Sequence, residues 1–502
     1  MSHWIILPVL LPAFTAVLLL LGARLDQATQ RSISVLSTLG LVGISLPLLF
    51  QASSGDLTVY QLGNWPAPFG IVLVLDRLGA LMVLLVGLVA LPALLHAVHG
   101  WDTRGRNFHA LFQFQLMGLN GAFLTGDLFN LFVFFEILLI ASYGLVLHGG
   151  GSDRVRAGLH YVVFNMAGSA LFLIALGMVY GALGSLTMAD LAQRMAAAGP
   201  EQRAILQAAS LLMLAVFSVK AAILPLYFWL PRTYRFTSAP VAALFAIMTK
   251  VGVYSILRVY TQVFSDGAAV LDGVPGKVLF PASLLTLGLA MIGVLAAKAL
   301  RQVLAYLVIA SVGTMMASIA LFTVPAIAAS LYYMLHSTLI IAALFLLAEH
   351  IADQRGEGGD ALRPSTPVAQ PALLGFLFFI AAVGVAGLPP LSGFLGKVFI
   401  LQSALGSAEM GWLFGVVLVG GFLGLIAMGK TGTMLFWKTE GETVGSPSGV
   451  AAILPVLLLL GLVVGLSFLA EPISAYTEAA AVQLMNPQPY IQAVLNPGGV
   501  TP

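Results

Sequence analysis

Residues 211–229 read LLMLAVFSVKAAILPLYFW. The run is apolar and close to the roughly 20 residues that a helix needs to cross a bilayer. Two of its residues are out of place in a plain spanning helix. Lys220 lies in the middle of it, and Pro225 follows five positions later. A charge at the bilayer centre costs about 2.5–3.5 kcal/mol on insertion scales. Proline removes a backbone donor and its ring collides with the preceding turn. A chain that keeps both in one span is expected to use them.

The same combination recurs. Residues 387–397 read GLPPLSGFLGK, with Pro389 and Pro390 at a break and Lys397 just beyond it. Lys250 follows the apolar run VAALFAIMT at 241–249, and Glu136 lies inside NLFVFFEILLIASYGLV at 130–146. Intramembrane prolines are also common without any special role. Here each break has a lysine beside it.

The whole composition agrees with a membrane setting. Of 502 residues, 60% are hydrophobic and 8% are charged, and the mean hydropathy is +1.01. A polytopic membrane protein has this profile and a soluble domain of this size does not. The chain has no cysteine, which excludes thiolate-held iron–sulfur clusters and disulfides. A net charge of +2 gives no sign of nucleic acid binding. The N-terminal stretch lacks a basic n-region and a small-residue cleavage site, so it is expected to be the first span.

Fourteen apolar stretches are expected to span, at 4–22, 33–50, 71–98, 108–125, 130–148, 159–182, 205–229, 239–260, 280–299, 302–322, 325–348, 371–400, 411–436 and 451–470. The fold class is therefore an all-α polytopic membrane protein, with residues 1–502 as one membrane domain. Of the 22 lysines and arginines, 14 fall in loops after odd-numbered spans and three (Arg194, Arg203 and Lys277) in the others. The positive-inside rule then puts both termini on the outer side. The broken seventh and twelfth spans are five apart. That spacing suggests two five-helix repeats of opposite topology, at 108–260 (spans 4–8) and 280–436 (spans 9–13).

The embedded charges read as a proton path. Desolvation lowers a lysine's pKa from about 10.4, in extreme cases to about 5–6, so a buried amine can carry protons without a cofactor. Lys220, Lys250 and Lys397 are the candidates, although a lysine near a span end can also snorkel to the interface. Glu136 is expected to pair with Lys220, as a structural link between helices or as a modulator of the neighbouring site. His336, in LYYMLHSTLIIAALFLL at 331–347, is a candidate relay, since imidazole titrates near neutrality; a lone histidine can equally be a packed, hydrogen-bonded residue. Asp127 and Asn130 are expected to cap the fifth span, and the adjacent Asp76 and Arg77 to be structural. No P-loop, dinucleotide motif or catalytic nucleophile motif is present. No cofactor, metal site or enzymatic activity is expected.

These residues resemble the antiporter-like subunits shared by respiratory complex I and the multisubunit Mrp-type Na+/H+ antiporters. The resemblance covers essentially the whole chain and is strongest at TGDLFNLFVFFEILLIASYGL (125–145), VKAAILPLYFWLP (219–231) and GLPPLSGFLGKVFI (387–400). It implies 14 helices with two inverted repeats, a glutamate–lysine pair at Glu136 and Lys220, and proton-carrying lysines at Lys250 and Lys397. The GDLFN element, GALGSLTMADLA at 181–192 and PYIQAVL at 489–495 resemble the D-type branch of the Mrp antiporter subunits. Ile341 and Ser311 stand where some relatives have a lysine and a histidine, so the central relay is expected to lean on His336 and water. The implied partners are a larger homologous A-type subunit and small hydrophobic subunits of a complex in a bacterial-type inner membrane. With Glu136 the one carboxylate well inside a span, the monovalent cation is expected to pass through those partners. The alternative is a proton-pumping subunit of an NADH–quinone oxidoreductase or related redox complex. A scaffold with relic charges is disfavoured by the cost of burying them.

Overall fold

The computed structural model describes residues 3–22, 24–264 and 273–496. In hydrocarbon every backbone polar group must find a partner within the protein, so a chain this apolar is driven into helices. In order they are α1 (Leu7–Leu21), α2 (Gln27–Ser53), α3 (Arg77–Ala97), α4 (Phe108–Leu124), α5 (Leu128–Leu147), α6 (Ser152–Leu183), α7 (Met188–Ala196), α8 (Pro200–Ala221), α9 (Trp229–Phe236) and α10 (Ala239–Phe245). They continue as α11 (Met248–Gln262), α12 (Val274–Ala296), α13 (Leu300–Ile319), α14 (Val324–Gln354), α15 (Pro371–Ala386), α16 (Ser392–Ser403), α17 (Met410–Gly432), α18 (Val450–Phe468), α19 (Ala470–Met485) and α20 (Pro487–Leu495). Aspartates cap several starts: Asp26, Asp76 and Asp127 accept from Thr29 N, Gly79 N and Asn130 N at 3.0, 2.8 and 2.8 Å. Asn130 is thus a capped residue, not a cap; its side chain donates to Thr125 Oγ1 at 2.9 Å.

Among the described residues, 12 helices are long and apolar enough to cross a membrane. The two expected stretches outside that set are α4, at 17 residues, and 371–400, which divides into α15 and α16. Other boundaries also differ from expectation. The third stretch begins with an antiparallel hairpin, β1 (Thr58–Gln61) with β2 (Val72–Leu75), in the register Thr58↔Leu75 to Gln61↔Val72. Its helix starts only at Arg77. The seventh stretch opens over residues 222–228, between α8 and α9. The eighth, expected to be continuous, tightens at Ala246 and Ile247, whose amides bond three residues back to Ala243 and Leu244 at 3.1 and 3.2 Å. Residues 470–495, unassigned from the sequence, form α19 and α20.

The most apolar stretches of α14 and of α10–α11 are wholly buried, whereas less than two-fifths of those of α1, α2, α6 and α17 is buried. A central column of α3, α10–α11, α13 and α14 is therefore wrapped by outer helices that face lipid. Glycines let backbones touch in the wrapping. A Cβ on Gly118 of α4 would lie 2.7 Å from Leu138 N of α5, and one on Gly313 of α13 would lie 2.6 Å from Leu287 N of α12.

The loop between α3 and α4 is pinned by Asp102. Arg31 grips its carboxylate through Nε at 2.6 Å and Nη2 at 2.9 Å, Gln27 Nε2 donates at 2.8 Å, and His109 Nε2 lies 3.2 Å away. Burial pushes this carboxyl up, but the hydrogen bonds from His109, Arg31 and Gln27 outweigh it and hold the group well below the ordinary carboxylate range. The stabilisation is then fully present above the ordinary value of about 3.9 and is lost as pH falls through the depressed folded value. Asp102→Asn is expected to lower the melting temperature in detergent at neutral pH, with the gap to the parent closing only in strong acid; a gap independent of pH would contradict this. Gly313→Ala is expected to cost about 1–3 kcal/mol by overpacking. Gly288→Ala, on the same helix pair with open space around it, should be near neutral in the same melts.

Candidate functional site

The breaks in α8–α9 and α15–α16 leave backbone groups without helical partners, and specific side chains take them up. α8 ends at Ala222 in the left-handed region, φ 59°, which is costly for a residue with a Cβ. Trp229 Nε1 donates to Val219 O at 3.1 Å, and the freed Leu224 N donates to Thr286 Oγ1 of α12 at 2.9 Å. Pro225 lies inside this break. Lys220 occupies the last turn of α8, where the helix dipole favours a cation. Its Nζ donates to Asn165 Oδ1 of α6 at 3.2 Å and stands 5.5 Å from the Phe135 ring centroid.

Glu136, on α5 beside Phe135, accepts a hydrogen bond from Ser169 Oγ of α6. The expected direct Glu136–Lys220 ion pair does not form. Among the described residues, ion pairs form at Arg31, His96, His109, Arg194 and Arg258, and none joins Lys220 to Glu136. The reason is that α6 presents Asn165 and Ser169, one turn apart, to the two groups. Glu136 remains close enough for its charge to act on Lys220. Both α6 residues were readable as polar positions at helical spacing, but nothing in the sequence showed which way they face.

Lys250 lies in the first turn of α11, just past the tightened backbone, and is fully buried. Its Nζ donates to Ser311 Oγ of α13 at 3.3 Å and to Thr249 Oγ1 at 3.4 Å. Gly252, half a turn on, packs against the end of α8, where a Cβ would come 2.8 Å from Lys220 C. The Lys220 and Lys250 segments are therefore in direct backbone contact.

Ser311 also lines a cavity shared with Thr314 of α13, Tyr333, His336, Ser337 and Ile341 of α14, and Lys397 of α16. The volume that water centres can occupy there is about 40 Å³, room for a short file of waters at roughly 10–15 Å³ each. At its far side, Lys397 Nζ donates to Ala386 O at 2.9 Å and Val385 O at 3.2 Å. Those are carbonyls that the end of α15 leaves free. Pro389 and Pro390 lie in the break between the two helices, after Gly387 at φ 78°. His336 spans the break from α14. Its Nδ1 lies 2.9 Å from Ser392 Oγ at the start of α16, and Ser392 Oγ donates to Val463 O at 2.9 Å.

The structure thus places Lys250, Ser311, His336 and Lys397 along one polar line through the buried column, with Glu136 and Lys220 at one end joined through α6. It also contains a pair that the sequence reading missed. Arg258 of α11 grips Asp76 at 2.5 and 2.8 Å, both buried, and ties the helix that carries Lys250 to α3. Asp76 thus both caps α3 and pairs with Arg258. Gly393 is where the line is least tolerant. A Cβ there would overlap the Gly384 carbonyl and stand 2.6 Å from His336 Nε2. Gly393→Ala is expected to abolish transport by prising α16 from α15, whereas Gly429→Ala, which meets nothing within 4 Å, should leave the transport rate near the parent's.

Comparison with known proteins assigns this architecture. A family model described as NADH:quinone oxidoreductase/Mrp antiporter, transmembrane, matches residues 125–426. The chain is 42% identical to the D-type subunit of a probable K+/H+ antiporter of Rhizobium meliloti, over 99% of this chain and 98% of that one. It is 37% identical to the D-type subunit of an Na+/H+ antiporter of Alkalihalophilus pseudofirmus, over 99% and 100% of the two chains. A chain of the solved Mrp complex from Dietzia sp. superposes with a TM-score of 0.89 at 27% identity, covering 99% of this chain and 100% of that one. With breaks, embedded lysines and full-length likeness in agreement, the chain belongs to the family of NADH:quinone oxidoreductase and Mrp antiporter transmembrane subunits.

Proposed function

We propose that this chain is the proton-translocating, D-type subunit of a multisubunit monovalent cation/proton antiporter. The observation that carries the reading is the line of three lysines, Lys220 and Lys250 buried and Lys397 half-buried, whose acceptors are all neutral: Asn165 for Lys220, Ser311 and Thr249 for Lys250, and backbone carbonyls for Lys397. Permanently charged structural lysines would be expected to have carboxylate partners, because an uncompensated buried charge is strongly destabilising. Protons enter toward Lys250, cross from Ser311 through water in the cavity past His336, and leave by Lys397. Glu136 and Lys220 set the charge next to Lys250 through α6.

The architecture behind this path is 14 crossings with two inverted five-helix repeats, α4–α11 and α12–α17. The repeats carry matching backbone bridges. Leu128 N bonds Leu186 O and Met188 N bonds Gly126 O, each at 2.9 Å; Leu300 N bonds Asp360 O at 2.8 Å and Leu362 N bonds Lys298 O at 3.0 Å. Each set joins the start of a repeat's second helix to the segment after its third. One lies at the Asp127 end of α5 and the other at the Arg301 end of the bundle, as inversion requires. The arginine-rich end faces the cytoplasm and both termini face outward, in a bacterial plasma membrane.

Among the described residues, Glu136 is the one carboxylate on the line and is already hydrogen-bonded to Ser169, and the lysine amines beside the remaining oxygens disfavour a bound alkali cation. The cation moves through partner subunits, a larger homologous A-type chain and small hydrophobic chains. A pump subunit of a redox complex would use the same path with another driving force, and the antiporter names of the full-length relatives favour the antiporter.

In vesicles carrying the whole complex, Lys250→Ala or Lys397→Ala is expected to cut cation-dependent proton movement by about 10²-fold or more, the usual scale for loss of a proton-transfer group, with assembly unchanged. Ser311→Ala should slow it less, since water can replace the hydroxyl. Parent-level antiport in Lys250→Ala vesicles would overturn the path.

A further inference from the structure

A second set of buried titratable groups lies at the arginine-rich end of the bundle, well away from the lysine line. His96, in the last turn of α3, places Nε2 3.2 Å from Glu349 Oε2 of α14. The other carboxylate oxygen accepts from Trp101 Nε1. Both His96 and Glu349 are about 5% exposed. Among the described residues, His96 Nδ1 is buried and finds no hydrogen-bond partner, as is true of His109 Nδ1. An ionised Glu349 can only accept, so the His96 proton sits on Nε2 and the Nδ1 lone pair is left open. A buried imidazole nitrogen without a partner is costly.

The surroundings are built for a change of charge. Arg104 lies 3.9 Å and Arg154 5.2 Å from the Trp101 ring centroid. The charged and titratable groups acting on the pair are Arg301 of α13, Asp353 and His350 of α14, and Arg154; His99 acts on His350, and Arg104 on Asp353 and Arg154. His350 meets the His96 ring edge-on at 5.1 Å. Its own nitrogens are engaged by Ser448 Oγ at 3.1 Å and Ala452 O at 3.0 Å, so it is fixed in place. His96 is left as the imidazole with an open nitrogen.

We propose that His96 and Glu349 form a second proton-binding site, at the arginine-rich end, that exchanges protons with bulk water on that side during antiport. The proposal rests on the proton-carrying reading above. A proton from water adds to His96 Nδ1, giving an imidazolium whose Nε2–H stays on the Glu349 carboxylate. Release returns that proton to water from His96 Nδ1, with Glu349 ionised throughout and no change of oxidation state.

The test uses the whole complex in proteoliposomes, with antiport rate measured against pH on the arginine-rich side alone. Glu349→Gln and His96→Gln keep a neutral hydrogen-bonding side chain, so a purely structural contact would survive in them. The expected result is normal assembly with the half-maximal pH displaced by about half a unit or more, and Glu349→Asp moving it back toward the parent. Profiles that superimpose on the parent in both Gln variants would overturn the site. Should one Gln variant fail to assemble, the other decides on the same criterion. Lys250→Ala measured alongside separates the two questions: full antiport there fails the lysine path, whereas an unshifted profile with Lys250→Ala inactive fails only the His96–Glu349 site.

Discussion

Everything in this fold depends on how backbone groups released inside hydrocarbon are satisfied. An unbroken helix meets the demand by itself, and a broken one must recruit a neighbour. The twelfth span shows the consequence most clearly. Opening it at Pro389 and Pro390 frees carbonyls at the end of α15, and the cation that takes them up is Lys397, brought back by α16. The half-buried Lys397 amine is thereby held by neutral dipoles and not by a carboxylate, as the proposed proton path requires. The break at Pro225 does the related job at Lys220, with Trp229 and Thr286 taking up the backbone and Asn165 the amine.

The two breaks need a rigid frame, and the central column provides it. α14 is buried along its most apolar stretch and carries His336 to the second break. α11 is tied at one end to α3 by the Arg258–Asp76 grip and pressed at the other against α8 through Gly252. Lys250 therefore has little freedom to move along the axis, and its amine reaches Ser311 across the boundary between the proposed repeats. The connection between the halves is made of hydroxyls and space for water, which suits proton transfer better than a permanent ion pair.

Much of this was legible in the chain because charges and prolines stand out against apolar sequence. Lys220, Lys250, Lys397, Glu136 and the breaks at Pro225 and Pro390 could all be named before any coordinates. The break before Lys250 could not, because Ala246 and Ile247 are ordinary helix residues tightened by packing. The hairpin at residues 58–75 was hidden because IVLVL at 71–75 reads as the start of a span. Partnerships were the least legible. Asn165, Ser169 and Ser311 lie on other helices, so the sequence favoured opposite charges and suggested a Glu136–Lys220 pair. In space, neutral groups of α6 come between them. Glu349 and His96 lie at or near the ends of their expected spans, 325–348 and 71–98, and only the fold brings them together.

The most direct test of a water-linked lysine path is an experimental density map of the whole complex at a resolution that shows ordered water. A continuous file of waters from Ser311 past Thr314 and His336 to Lys397 Nζ is the expected result. A dry, collapsed cavity between Ser311 and Lys397, in a complex that still exchanges cations for protons, would contradict it.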